Sequence, residues 1–223
     1  MQLLVEKDGG LECPRGAFTV DPVRPAEVAV ITHAHADHAR PGSGLYHCSR
    51  EGLAYTRARV GEHAELVAHD WGEPFQLGAA QVSLHPAGHI RGSAQVRVEI
   101  DGEVWVVSGD YKRQSDPTCT PFEVVRCDVF ITEATFALPV YRWDPPEQVA
   151  EAILAWWESN RAAGRCSMLF CYALGKAQRL LAELHARCDR PVYIHGALEA
   201  LTEAYRRDGV ALPETINATQ APR

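Results

Sequence analysis

The sequence has no Cys-x-x-Cys pair among its 7 cysteines, no long apolar run and no excess of positive charge. Each absence removes a class of protein. Cysteines that are odd in number and scattered (Cys13, Cys48, Cys119, Cys127, Cys166, Cys171 and Cys188) argue against a disulfide framework and against a thiolate zinc site, so they read as reduced, mostly buried thiols. No segment approaches membrane-spanning length, and Met1 to Gly10 lacks a basic stretch leading into an apolar one. A cytoplasmic protein with no membrane partner is expected. A formal charge of −7 excludes indiscriminate adhesion to polyanions, so a polyanionic partner has to meet a local positive field. Gly175-Lys176 is only a fragment of the Gly-x-x-x-x-Gly-Lys-Ser/Thr loop, and nucleoside triphosphate binding is unsupported. Short repeats and low-complexity tracts are also missing.

What is present is a globular chain of 223 residues, 46% of them hydrophobic, able to bury one sizeable core or two modest ones. Short β-rich runs recur, each released into a chemically capable residue. Glu27 to Thr32 leads to His33, Val82 to Leu84 leads to His89, Val104 to Val107 leads to Asp110, and Asp128 to Thr132 leads to Glu133. Strands of one sheet that end this way gather such residues along one edge.

After about Pro145 the texture changes to helix–strand alternation. Val149, Ile153, Leu154 and Trp157 predict an amphipathic helix over 147–161 behind the breaker Pro145-Pro146. Cys166 to Cys171 reads as a buried strand followed by a helix over 176–186; Pro191 to Ile194 reads as a second strand with a helix over 197–207 closed by Gly209. Two domains are therefore expected, 1–145 and 146–223, the second a small parallel α/β region.

The stretch THAHADH, Thr32 to His38, carries 3 histidines and 1 aspartate. In an extended segment, residues two apart point the same way, so His33 and His35 can hold one cation. Asp37 and His38 can face a second as the chain turns into a helix. His89 and Asp110 supply the right chemistry to complete the pair, and a carboxylate such as Asp110 can bridge. Two cations roughly 3.5–4 Å apart would activate a water for attack and neutralise charge on a phosphoryl or acyl oxygen, which implies hydrolysis. The isolated His47, His63, His69, His85 and His185 read as structural.

THAHADH, AGHIRGSA (Ala87 to Ala94), SGDYKR (Ser108 to Arg113) and TEATF (Thr132 to Phe136), in that order, resemble the successive motifs of the metallo-β-lactamase-fold nucleases. The resemblance implies an α/β fold of αββα architecture and two zinc ions. By that pattern His33, His35 and His89 would hold the first, Asp37 and His38 the second, with Asp110 between them. Glu133 resembles the first motif of the β-CASP subgroup, whose substrates are DNA and RNA, and would assist proton transfer; Asp37, Asp110 and Glu133 are thus the catalytic candidates. YALGKAQRL (Tyr172 to Leu180) is similar to that subgroup's inserted domain. Taken together the motifs look most like those of the bacterial DNA-ligase-associated exonucleases, which implies removal of nucleotides from DNA ends in DNA repair, alongside an ATP-dependent DNA ligase and a helicase.

Arg91, Ser93, Lys112 and Lys176 are the candidate phosphate contacts, from a charge-assisted bond, a hydroxyl or a helix start. No histidine follows His195, whereas the resembled group supplies further histidines after its inserted domain; the C-terminal part of the metal fold is therefore expected to be missing. An RNA-processing nuclease, a thioester or lactone hydrolase and an inactive metal-binding fragment stand as alternatives. Histidine and carboxylate ligands accept manganese as well as zinc.

Overall fold

The structure, a computed structural model, describes residues 2–220, so the last three positions of the expected 146–223 region lie outside the described residues. The chain forms two compact units, one ending at Glu133 and one beginning at Ala134.

The first unit is built on two sheets. One contains β1 (Val5–Lys7), β2 (Gly10–Cys13), β3 (Phe18–Val20), β4 (Val28–Val30), β5 (Leu45–Ser49) and, after the helix α1 (Leu53–Val60), β6 (Leu66–His69), paired in that order. The other contains β7 (Phe75–Leu77), β8 (Ala80–Pro86), β9 (Ala94–Ile100), β10 (Glu103–Val107) and β11 (Val129–Ile131), also in sequence order. Strand alternation decides what each sheet buries. Ala80, Val82 and Leu84 of β8 and Ala94, Val96, Val98 and Ile100 of β9 enter one core with Phe18, Val20 and Val30 from the first sheet. The opposite residues of the same β4 segment, Ala29 and Ile31, join Tyr46, Cys48 and Val60 under α1. One short strand thus serves two hydrophobic layers, which explains its unbroken apolar run.

Strand direction then positions the site. β3 and β4 are parallel, as are β10 and β11; β8 runs the same way as β10 because β9 is antiparallel to both. Within each sheet the residues that follow these strands emerge at one edge.

In the second unit α2 (Pro146–Ala162) and α3 (Lys176–His185) pack together, and β12 (Val192–Ile194) pairs in parallel with β13 (Thr215–Asn217) across α4 (Glu199–Arg207). Gln178 is fully buried and joins the two latter helices: its side chain accepts from the Gly175 amide at 2.8 Å and donates to Ala173 O at 3.0 Å and Thr202 Oγ1 at 3.2 Å. The three expected helices are present. The expected strand over Cys166 to Cys171 is not: this run has no strand pairing, and Phe170 is 90% exposed. β12 finds its ladder partner in β13, which leaves the apolar composition of 166–171 without a sheet to enter. Among the described residues no helix is long and apolar enough to cross a membrane.

Candidate metal centre

The chain leaves β4 through Ile31 and Thr32 and presents His33 and His35, two residues apart, from irregular backbone. It then closes a single helical turn rather than a helix, with the amides of His38 and Ala39 donating to His35 O at 3.2 and 2.8 Å. His89 follows β8, Asp110 follows β10 and Glu133 follows β11. Two glycines let these loops close on one another. A Cβ on Gly88 (φ +69) would stand 2.4 Å from Lys112 O, and one on Gly109 (φ +54) would stand 2.6 Å from Thr32 Cβ. Both take the left-handed conformation that glycine adopts without strain.

His33, His35, His89 and Asp110 meet, one donor atom from each lying within 4.8 Å of the others. His33 Nε2 is 3.0 Å and His89 Nε2 3.4 Å from His35 Nδ1. Asp110 faces two ways. Its Oδ2 lies 3.8 Å from His33 Nε2 and 3.6 Å from His89 Nε2, while its Oδ1 lies 3.5 Å from His38 Nε2. Asp37 Oδ2 is 3.7 Å from that same His38 nitrogen. The cleft beside this group is lined by Asp37, His38, Asp110, Thr132 and Glu133, with Glu133 NH donating to Ser108 Oγ at 3.3 Å.

The protonation chemistry matches a cation-holding set. Burial, reinforced by the charges of His38, His89 and His35, drives the His33 pKa well below the ordinary value. Burial likewise lowers His89 to about 4, with His35 adding to it. Both imidazoles are neutral, the form in which histidine is a ligand. Asp110 is pushed up, first by burial and then by the negative charges of Glu133 and Asp37. For His38 burial acts downward, but its hydrogen bond to Asp21 and the charges of Asp21, Asp110 and Asp37 outweigh it and raise the pKa. Neutral imidazoles converging on crowded carboxylates are a fitting donor set for a divalent ion.

Asp21 is the residue that sequence reasoning missed. It follows β3 with φ +44, accepts the Thr32 amide at 2.8 Å and the Thr32 hydroxyl at 2.5 Å, and accepts from His38 Nδ1 at 2.7 Å. The signal was the one used for the other strand ends, an acid directly after an apolar run, here Phe18-Thr19-Val20-Asp21.

The candidate phosphate contacts are engaged within the protein. Ser93 is buried, and its hydroxyl accepts the amides of His89 at 3.0 Å and Ile90 at 3.2 Å, so it shapes the loop that carries His89. Arg91 pairs with Glu51 at 3.0 Å and Lys112 with Asp116 at 3.0 Å. Lys176 opens α3 in the second unit, 5.4 Å from the Tyr172 ring centroid. His47 and His69, read as structural, are buried and hydrogen-bonded to each other at 2.8 Å, with both rings stacked against Phe75.

No family model matches the chain. A probable DNA ligase of Opitutus terrae is 34% identical over 209 residues, which is 92% of this chain and 20% of that protein. An endoribonuclease of Aspergillus fumigatus is 32% identical over 57% of this chain and 16% of its own length. A ribonuclease of Thermus thermophilus is 26% identical over 79% of this chain and 48% of its own. The chain therefore spans less than half the length of these curated relatives. Among solved structures, a protein of unknown function from Enterococcus faecalis shares the fold, with a TM-score of 0.56 and 12% identity over 88% of this chain and 52% of that one. With two packed sheets, strand-end histidines and aspartates in one group, and these relatives, the chain is similar to the metallo-β-lactamase-fold nucleases of the β-CASP-like group.

Proposed function

We propose that this chain carries the hydrolytic centre of a metal-dependent nuclease that removes nucleotides from DNA ends, in the service of DNA repair. The observation that carries the reading is the division of Asp110, one oxygen toward His33 and His89 and the other toward His38. A carboxylate so placed suits two neighbouring cations. His33, His35 and His89 would hold one, Asp37 and His38 the other, and Asp110 both. Divalent ions, zinc by donor chemistry and manganese as the alternative, would supply Lewis acidity and a water of lowered pKa. Asp21 keeps the His38 Nδ1 proton and leaves Nε2 as the donor atom. Glu133, in the same cleft, is assigned proton transfer to the departing oxygen. The metal-fold portion is assigned to 1–145 and the β-CASP-like region to 146–223.

DNA is preferred because the relative named as a probable DNA ligase matches across 92% of this chain. The same match supports a functional association with an ATP-dependent ligase and, by resemblance, a helicase. RNA is the second reading, favoured by the relatives named as ribonucleases. End-labelled single- and double-stranded DNA and RNA of one sequence test both. Release of nucleotides from DNA that stops in a chelator and in Asp110→Asn is the expected result. Faster release from RNA moves the assignment to RNA, and cleavage that survives chelation or Asp110→Asn overturns the metal-dependent reading. Thioester or lactone turnover that Glu133→Gln leaves intact would mark a small-molecule hydrolase instead.

A further inference from the structure

Beside the metal ligands lies a polar network whose centre is Glu51, in the turn between β5 and α1. Its side chain is only 14% exposed. Two other chain segments meet on its carboxylate. Oε1 takes the Arg91 guanidinium at 3.0 Å, two residues past His89. Thr120 Oγ1 donates to both oxygens, at 3.1 and 2.9 Å. Arg91 Nη1 also reaches Thr118 O at 3.5 Å, and Thr118 in turn is tied to Asp116, the partner of Lys112, through its amide at 3.0 Å and its hydroxyl at 2.6 Å.

Around this carboxylate the backbone is locked. Ser49 Oγ donates to Gly92 O at 2.6 Å, and a Cβ on Gly92 would fall 2.2 Å from Gly52 Cα. The Lys112 amide donates to Ala87 O at 2.9 Å, and Cys119 Sγ to Gly88 O at 3.4 Å. The loop that carries His89 is thus held at Gly92 by the 49–52 turn and at Ala87 and Gly88 by the segment that follows Asp110. Glu51 is the side chain that spans both.

We propose that Glu51 is a positioning residue for the metal centre, fixing His89 against Asp110 by cross-tying Arg91 to Thr120. The inference rests on the reading that His33, His35, His89 and Asp110 hold a metal. Ligand atoms must sit within a few tenths of an ångström of their ideal places, and neighbours that orient ligands change metal affinity by about 10–100-fold. The Arg91 stem is anchored two residues from His89, so release of its guanidinium frees the part of the loop that sets the imidazole.

The test is zinc titration of the full chain, with thermal unfolding of metal-free and zinc-loaded protein. The variants are Glu51→Gln, Thr120→Val and, as a control, Glu99→Gln, which breaks the pair of Arg97 with Glu99 on β9. Glu51→Gln and Thr120→Val are expected to raise the zinc Kd about tenfold and to shrink the increase in Tm that zinc produces. The control is expected to leave both unchanged. Thr120→Val removes only a hydroxyl and decides the matter if Glu51→Gln does not fold. An unchanged zinc Kd in these variants, or equal falls of metal-free and zinc-loaded Tm, would show a purely structural network and overturn the inference. A wild-type chain that binds no zinc fails the metal reading itself, a separate result.

Discussion

Asp21 Oδ2 stands 2.7 Å from His38 Nδ1 and turns the opposite nitrogen of that ring toward Asp110. The same carboxylate binds the amide and hydroxyl of Thr32, so it fixes both the start of the ligand loop and the tautomer of its last histidine. Asp21→Asn keeps the shape but offers an NH2 where the ring needs an acceptor. Metal affinity is expected to fall by about 10–100-fold, with loss of one bound equivalent before the other. Metal content measured after dialysis at graded free zinc checks this, and a retained full complement would refute it.

Glu133 occupies the cleft with Asp37, His38 and Asp110 and is assigned proton transfer rather than metal binding. Glu133→Gln is therefore expected to lower the rate of nucleotide release by about 10²–10⁴-fold while metal content stays at the wild-type level. Rate and metal content measured on the same preparation separate the two roles. Loss of metal in this variant would make Glu133 a ligand.

Gly109 can be substituted only at a cost in backbone strain and contact. Its φ is +54, and a Cβ there would lie 2.6 Å from Thr32 Cβ, which belongs to a buried residue. Gly109→Ala is expected to destabilise the first unit by about 1–3 kcal/mol and to weaken metal binding, because the collision separates the Asp110 loop from the Thr32 loop. Thermal unfolding reports the first effect and zinc titration the second. An unchanged Tm would mean that the loops part freely.

His47 makes the acid stability of the first unit depend on a residue outside the metal group. Burial lowers its pKa to about 4, and the charge of His69 adds to the shift. The folded protein thus disfavours the protonated ring. The stabilisation is complete above the ordinary value of 6.5, erodes as pH falls from there, and is gone once pH passes about 4. At about 1.4 kcal/mol for each pKa unit, the loss over that window is roughly 3 kcal/mol. His47→Phe, which keeps a ring against Phe75, is expected to flatten the fall between pH 6.5 and 4 in urea denaturation. A fall of equal steepness in the variant would place the acid sensitivity elsewhere.

Much of the site could be read locally. THAHADH follows an apolar run, and both the two-residue spacing of His33 and His35 and the adjacency of Asp37 and His38 are properties of a single short segment. His89, Asp110 and Glu133 each stand just past a recognisable strand. The helices of the second unit were equally legible, since apolar spacing and the flanking Pro145 and Gly175 act within a few residues. Cys166 to Cys171 misled because an apolar, β-rich run becomes a strand only where another strand offers it a ladder.

By itself, then, the sequence determined the candidate ligand types, their order along the chain and the chemistry they can support, because each depends on side-chain identity and on backbone periodicity over a few residues. The tertiary structure decided which of them meet. Strand direction brings His89 and Asp110 to the same edge, Asp21 reaches His38 across 17 positions of chain, and Glu51 reaches Thr120 across 69. It also decided that Ser93 faces the His89 amide and that Arg91 and Lys112 spend their charge on Glu51 and Asp116. Partners so distant in sequence are chosen by how sheets stack and loops interlock, and no local pattern carries that information.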